Sequence, residues 1–284
     1  MGVKIMLIIN DITELKQWRA SQNQSDIAFV PTMGALHAGH LSLIEAAKRD
    51  HQIIVVSIFV NPLQFGANED LSRYPRPFER DVELLRNMDV DVLFAPNADA
   101  IYSENFATQV RVTNGLDKVL CGAHRAGHFD GVCTIVALLF SAVRPNAALF
   151  GEKDFQQLAI IKRMNEDLHL IPKIIPVPTM READGLAMSS RNQYLSENER
   201  KIAPKLYEIL QEIKQKYKNG SREIADLINE AKENLLAAGF DNIDYLELRS
   251  EYDLQFTTNP SKSRLFVAAR LGNTRLIDNI AFND

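Results

Sequence analysis

Residues 53 to 60 read Ile-Ile-Val-Val-Ser-Ile-Phe-Val, an uncharged and almost wholly β-branched or aromatic run. A strand with one wet face alternates apolar and polar residues. An unbroken run instead suits a strand covered on both faces, as in a parallel sheet flanked by helices. Shorter runs of the same character stand at 27–30 (ending at Pro31), 90–94, 147–150 and 174–177. Between them the apolar spacing turns helical, at Leu41, Ile44 and Ala47 and over residues 80–88, 132–143 and 155–168. Strands and helices in alternation predict an α/β fold, a Rossmann-like doubly wound parallel sheet that binds ligands at the carboxyl ends of its strands.

The pattern changes near residue 180. Two long polar-faced helical stretches, 197–218 and 221–238, are separated by Asn219-Gly220 and followed by strand candidates at 245–248 and 264–271. Helices and strands in separate blocks predict a smaller α+β unit. The reading is therefore two domains, 1–179 catalytic and 180–284 a lid.

Several classes of function drop out on composition. With 32 basic against 37 acidic residues and a net charge of −5, the chain lacks the basic excess of a general nucleic-acid surface. The longest uncharged stretch, 132–143, falls short of the ~20 residues of a membrane span. Met6-Leu7-Ile8-Ile9 is too short for the apolar region of a secretory leader. Cys121 and Cys133 form no CxxC pair and have no histidines at zinc spacing, so both read as reduced thiols of a cytoplasmic protein. His51, His124 and His169 read as solvated background.

The segment after the first of these strands is Pro31-Thr32-Met33-Gly34-Ala35-Leu36-His37-Ala38-Gly39-His40. It follows a strand and opens a helix. His37 and His40, three apart, share a helix face at the turn where backbone N–H groups have no intrahelical partner. Gly39 would let a phosphate approach that backbone, and the helix dipole favours a negative group there by about 0.3–1 kcal/mol. Asn61-Pro62-Leu63-Gln64 follows the strongest strand; neutral amides there can donate to a carboxylate and accept from a hydroxyl, or simply be solvated. Gly151-Glu152-Lys153-Asp154 again sits between a strand and a helix, with a mobile cation suited to phosphate. For Glu152 an ordinary ion pair is an equal alternative.

These strings, together with Val60 to Gly66, Phe150 to Leu158 and Arg181 to Tyr194, resemble the pantothenate synthetase family in order and spacing across nearly the whole chain. Pro-Thr-Met-Gly-Ala-Leu-His-Ala-Gly-His is a specific form of the HxGH motif shared with other nucleotidyltransferases. The resemblance implies ligation of pantoate and β-alanine, driven by ATP with Mg²⁺ through a pantoyl adenylate. It implies ATP contacts from Met33, Gly34, Ala35, Leu36, His37, Ala38, Gly39 and His40, from Gly151, Glu152, Lys153 and Asp154, and from Met180. Met188, Ser189, Ser190 and Arg191 would form a mobile loop closing over the triphosphate. Gln64 and Gln157 would hold pantoate, and Gln64 later β-alanine; His37, His40 and Lys153 would be catalytic.

Arg125 and His128 match a basic pair of the family, although Ala126 stands where relatives usually have proline, which predicts a less rigid loop. Tyr74 and Asp81 match a loop near the active site, with Asp81 either a Mg²⁺ ligand or a surface carboxylate at a helix start. The family also implies a homodimer through the N-terminal domain. Relatives begin near Met6, which leaves Met1 and Met6 as alternative starts. A different HxGH adenylyltransferase, such as pantetheine-phosphate adenylyltransferase, and a non-catalytic nucleotide-binding protein are the rival readings.

Overall fold

The computed structural model describes residues 5–22, 25–67, 69–220, 222–259 and 261–282. The first part of the chain runs β1 (Leu7–Ile9), α1 (Ile12–Ser21), β2 (Ile27–Thr32), α2 (Ala38–Asp50), β3 (Ile53–Ile58), α3 (Phe78–Asn87) and β4 (Val92–Phe94). It continues with α4 (Ala98–Ile101), α5 (Leu120–His124), α6 (His128–Val143), β5 (Ala147–Gly151), α7 (Phe155–Asp167) and β6 (Lys173–Val177). The six strands form one parallel sheet in the order β1-β4-β3-β2-β5-β6.

Each strand divides its side chains between two cores. Ala28, Val30, Ile54, Val56, Leu93 and Leu149 meet Leu43, Ile44 and Ala47 of α2 and Val82 and Leu85 of α3. Ile27, Phe29, Val55, Phe94, Ala148 and Phe150 meet α1, α6 and α7 on the other face. Burial on both sides is why the sequence runs are continuous rather than alternating. From β2 the chain winds outward to β3 and β4, then restarts on the opposite side with β5 and β6. That reversal opens a crevice between the carboxyl ends of β2 and β5.

The remainder comprises α8 (Glu197–Ile202), α9 (Lys205–Lys218), α10 (Ile224–Ala237), β7 (Asn242–Ser250), β8 (Ser263–Leu271) and β9 (Thr274–Ala281), with β7-β8-β9 an antiparallel sheet. One face of this sheet, with Leu265, Val267, Ala269 and Leu271, packs on α9 and α10. The opposite face sends Tyr245, Phe266 and Ala268 into the core beside α6 and α7. No helix among the described residues is long and apolar enough to cross a membrane.

Two expectations change, and one strand is added. The single helix read over 197–218 is two, because Pro204 lacks the N–H that would continue α8 and instead begins α9. Strand β9 carries no apolar run, since Thr274, Asp278 and Asn279 are polar yet buried. His51 is not solvated background: its Nδ1 lies 3.0 Å from Asp26, and its side chain is 12% exposed. His124 and His169 are exposed as read. Ser221, the first residue of the predicted 221–238 helix, and Met1 lie outside the described residues.

Candidate active site

The crevice is floored by the turn from β2 into α2. Thr32 Oγ1 donates to the Ser57 carbonyl at 2.7 Å and accepts from Gly34 N–H at 3.1 Å. Gly34 has φ +79°, and a Cβ there would lie 3.1 Å from Asp81 Oδ2 and 3.0 Å from Ile58. Ala35 follows at φ +50°. Asp81 holds this unusual backbone: its Oδ2 accepts from Ala35 N–H at 2.7 Å and its Oδ1 from Leu36 N–H at 2.8 Å. Both oxygens of a side chain only 1% exposed are thus spent on backbone, which corrects the readings of Asp81 as a Mg²⁺ ligand or a surface group. Burial raises its pKa against the lowering effect of those two N–H donors.

His37 is the N-cap of α2, with its Nδ1 accepting from Gly39 N–H at 3.1 Å. His40, in the N3 position, accepts the N–H of His37 on its own Nδ1 at 3.3 Å. Two imidazoles therefore form a reciprocal capping box in the places a serine and a glutamate usually occupy. A Cβ on Gly39 would come within 2.9 Å of the His37 ring, so this glycine makes room for the imidazole. The close phosphate approach expected at Gly39 is thereby supplemented by a steric reason within the chain itself.

An accepting Nδ1 leaves the proton of each neutral ring on Nε2. Burial, followed by the positive charge of Lys153, pushes the His37 pKa down to about 4. Burial, followed by His37, pushes His40 down to about 3. The rings lie 4.1 Å apart, centroid to centroid, as two neutral N–H donors.

Around them a cleft of about 240 Å³ gathers Met33, His37, Gly39 and His40 with Gln64, Gly151, Lys153, Asp154 and Gln157. Met180, Met188, Ser189, Ser190 and Arg191 close it from the other side. Gly34, Ala35, Leu36 and Ala38 shape the turn and helix start without lining the cleft, and Glu152 is also absent from its wall. Glu152 is instead 3.5 Å from Arg264 of β8, the ion-pair alternative.

Gln64 is buried and not a solvated loop group: its Oε1 accepts from Asn61 Nδ2 at 3.2 Å, and its Nε2 reaches Met33 Sδ at 2.9 Å. Asn61 is fixed in turn by the Gly131 carbonyl and the Tyr102 hydroxyl. The basic pair forms a relay behind Gln64. Arg125 Nη1 lies 2.9 Å from His128 Nε2, and His128 Nδ1 lies 2.8 Å from the Gln64 carbonyl. Burial and the Arg125 charge bring the His128 pKa down to about 4, so the neutral ring accepts from Arg125 and donates to Gln64. Arg125 is also paired with Glu69, which anchors the loop despite Ala126.

Asp70, Asp278 and Asn279, given no role from sequence, stand behind this wall. Asp70 accepts from Arg191 Nε and Nη2, each at 2.9 Å, and Tyr74 lies beneath that guanidinium. Ser190 Oγ donates to the Ala35 carbonyl at 3.2 Å, so the 189–191 segment already touches the β2–α2 turn. On β9, Asn279 Nδ2 donates to the Glu152 and Lys153 carbonyls at 3.0 and 2.9 Å. Asp278 holds Arg181 through both guanidinium nitrogens, at 2.6 and 2.9 Å. The small sheet thereby sets both the segment that carries Lys153 and the start of the loop from Arg181. Among the described residues, no group of three or more His, Cys, Asp or Glu side chains could hold a metal ion.

A parallel α/β sheet with an HxGH helix head at its switch point, faced by a lysine and a serine–arginine loop, defines an HxGH-type Rossmann-like protein. Comparison with known sequences and structures narrows this class. The chain belongs to the Pantoate-beta-alanine ligase family, whose sequence profile matches residues 7–281. It is 44% identical over 278 residues to the pantothenate synthetase of Caldicellulosiruptor bescii, covering 97% of this chain and 98% of that one. The fold is similar to the crystal structure of pantothenate synthetase from Thermus thermophilus, with TM-score 0.92, 44% identity, and 98% and 99% of the two chains covered. It is also similar to pantoate-beta-alanine ligase from Francisella tularensis, solved with beta-gamma ATP and beta-alanine, with TM-score 0.85, 36% identity and 99% of each chain covered.

Proposed function

We propose that this protein joins pantoate to β-alanine in an amide bond, with ATP converted to AMP and pyrophosphate. One observation carries the reading: the HxGH head, Lys153, the 189–191 loop and the two glutamines face a single cleft in a chain that matches the family over residues 7–281. A carboxylate resists amines because its leaving group would be oxide, and adenylation supplies a better one. A pantoate carboxylate oxygen attacks the α-phosphorus of MgATP, the bond from that phosphorus to the bridging oxygen breaks, and pyrophosphate leaves. The β-alanine amine then attacks the acyl carbon, the acyl–phosphate C–O bond breaks, AMP departs, and the ammonium proton passes to solvent.

In this reading Gln64 and Gln157 orient pantoate from opposite walls. His37 and His40 donate Nε2–H hydrogen bonds to phosphate oxygens that gain charge as the phosphoryl group transfers. Being neutral with low pKa values, they act as donors rather than as acids at pH 7. Lys153 supplies the mobile cation, Ser189 and Ser190 add hydroxyl donors, and Arg191 sits beside them on Asp70. Met180 and Gly151 border the adenosine end. No side chain forms a covalent intermediate, so catalysis rests on position and electrostatics.

The same proposal keeps the division between a catalytic domain, 1–179, and a lid, 180–284; the separate three-stranded sheet after that point supports it. It takes the protein to be cytoplasmic and, on family resemblance, a homodimer through the N-terminal domain, which sedimentation would check. Mg²⁺ enters with the ATP phosphates. Product analysis tests the reaction: AMP with a stable amide is expected, while a stable adenylated product would replace this reading with that of an adenylyltransferase.

A further inference from the structure

The segment 189–194 is tied to parts of the chain more than a hundred residues away. Ser190 Oγ meets the Ala35 carbonyl, and the Tyr194 hydroxyl donates to the Arg73 carbonyl at 2.9 Å. Between these two ties, Arg191 Nε donates to Asp70 Oδ2 and Nη2 to Oδ1, each at 2.9 Å. Asp70 and Arg73 belong to one turn, closed by the Arg73 N–H donating to the Asp70 carbonyl at 3.0 Å. Glu69, just before it, is paired with Arg125. The turn is thus moored on one side to the basic pair behind Gln64 and on the other to the loop.

Arg191 lines the cleft together with His37 and Lys153, whereas Asp70 lines only the cavity adjoining it. The two side chains are 29% and 14% exposed, so the pair is better shielded than a surface ion pair. Burial raises the Asp70 pKa, but the hydrogen bonds and charge of Arg191 outweigh it and keep the carboxylate below its ordinary value. A bidentate carboxylate fixes the plane of a guanidinium and leaves Nη1, the nitrogen it does not use, for another acceptor. A long side chain ordered beforehand loses no rotamer freedom when its ligand arrives, a saving of up to about tenfold in affinity. Arg191 lines the cleft while paired, so the carboxylate holds it at the site and does not draw it away.

We propose that Asp70 is a positioning residue for ATP, acting through Arg191, whose guanidinium it orients toward the triphosphate. The inference rests on the reaction above, in which Arg191 meets the phosphates. A double-mutant cycle on the full-length protein tests it with two readouts. One is the Kd for MgATP by calorimetry, which needs no reaction; the other is pantoate-dependent exchange of pyrophosphate into ATP at subsaturating ATP. Asp70→Ala should weaken ATP binding and slow exchange about tenfold, with the KM for β-alanine unchanged. Arg191→Ala should do at least as much, and adding Asp70→Ala to it should change either readout by less than about twofold. Asp70→Asn keeps the shape and one acceptor; it should show a smaller loss of the same kind and decides the matter if Asp70→Ala does not fold. Losses that multiply independently in the double variant overturn the proposal, as does unchanged ATP binding in the folded variants. Tighter ATP binding without Asp70 also overturns it, since the carboxylate would then be holding Arg191 back. A coupled cycle in Kd with no exchange in the wild type would defeat the reaction and leave the positioning standing.

Discussion

Asp81 shows how much of this site depends on one side chain that meets no substrate. Its two oxygens fix the N–H groups of Ala35 and Leu36, and through them the place where His37 caps α2. In Asp81→Asn one oxygen is exchanged for an NH₂ group that faces an N–H donor. We expect about 1–3 kcal/mol lower stability in urea unfolding and a lower rate of adenylation, with the Mg²⁺ concentration for half-maximal rate unchanged. A shift in that Mg²⁺ requirement would return Asp81 to metal binding. His40→Ala removes both a Nε2–H donor and half of the capping box. Single-turnover adenylation should fall by about 10²-fold or more, and an unchanged rate would remove His40 from the chemistry. The HxGH spacing drew attention to these two rings, which line the cleft, because a strand, a glycine-bearing turn and a helix start are local. Asp81 could be flagged only by family likeness, since its backbone partners lie 45 and 46 residues away.

At the scale of elements, the strands of the large sheet were legible because burial on both faces leaves continuous apolar runs. The run at 53–60 overshoots β3 by two residues because Phe59 and Val60 lead out toward Asn61. Strand β9 was illegible for the opposite reason: Asp278 and Asn279 are buried against Arg181 and the 152–153 backbone, so the strand reads as polar. Helix α1 was likewise unread, although Asp11 caps it by accepting from Thr13 and Glu14 N–H at 2.7 and 3.0 Å. The role given to β9 predicts that Asn279→Ala, which frees the Glu152 and Lys153 carbonyls, slows pyrophosphate exchange more than it lowers stability. A loss of about 1–2 kcal/mol in unfolding with exchange untouched would reduce Asn279 to a structural contact.

Over the whole molecule, three histidines are held neutral by burial. His37 and His128 are depressed to about 4 and His40 to about 3, from 6.5. Between pH 6.5 and about 4 the unfolded chain binds these protons and the folded one does not, so stability rises with pH across that window and is lost as pH falls through it. Each site contributes a slope of up to about 1.4 kcal/mol per pH unit. Replacing His128 with Gln should flatten the stability profile from pH 6.5 to 4, measured by urea unfolding; an equally steep profile would show that the ring is charged in the folded state.

The central claim is that imidazoles on α2, a lysine after β5 and the 189–191 loop surround one ATP whose α-phosphorus is attacked by a carboxylate. Pantoate-dependent exchange of labelled pyrophosphate into ATP measures that step alone. The account predicts exchange that requires pantoate, proceeds without β-alanine and is lost in Lys153→Ala. Exchange that proceeds equally without pantoate, or that survives the loss of Lys153, would contradict it.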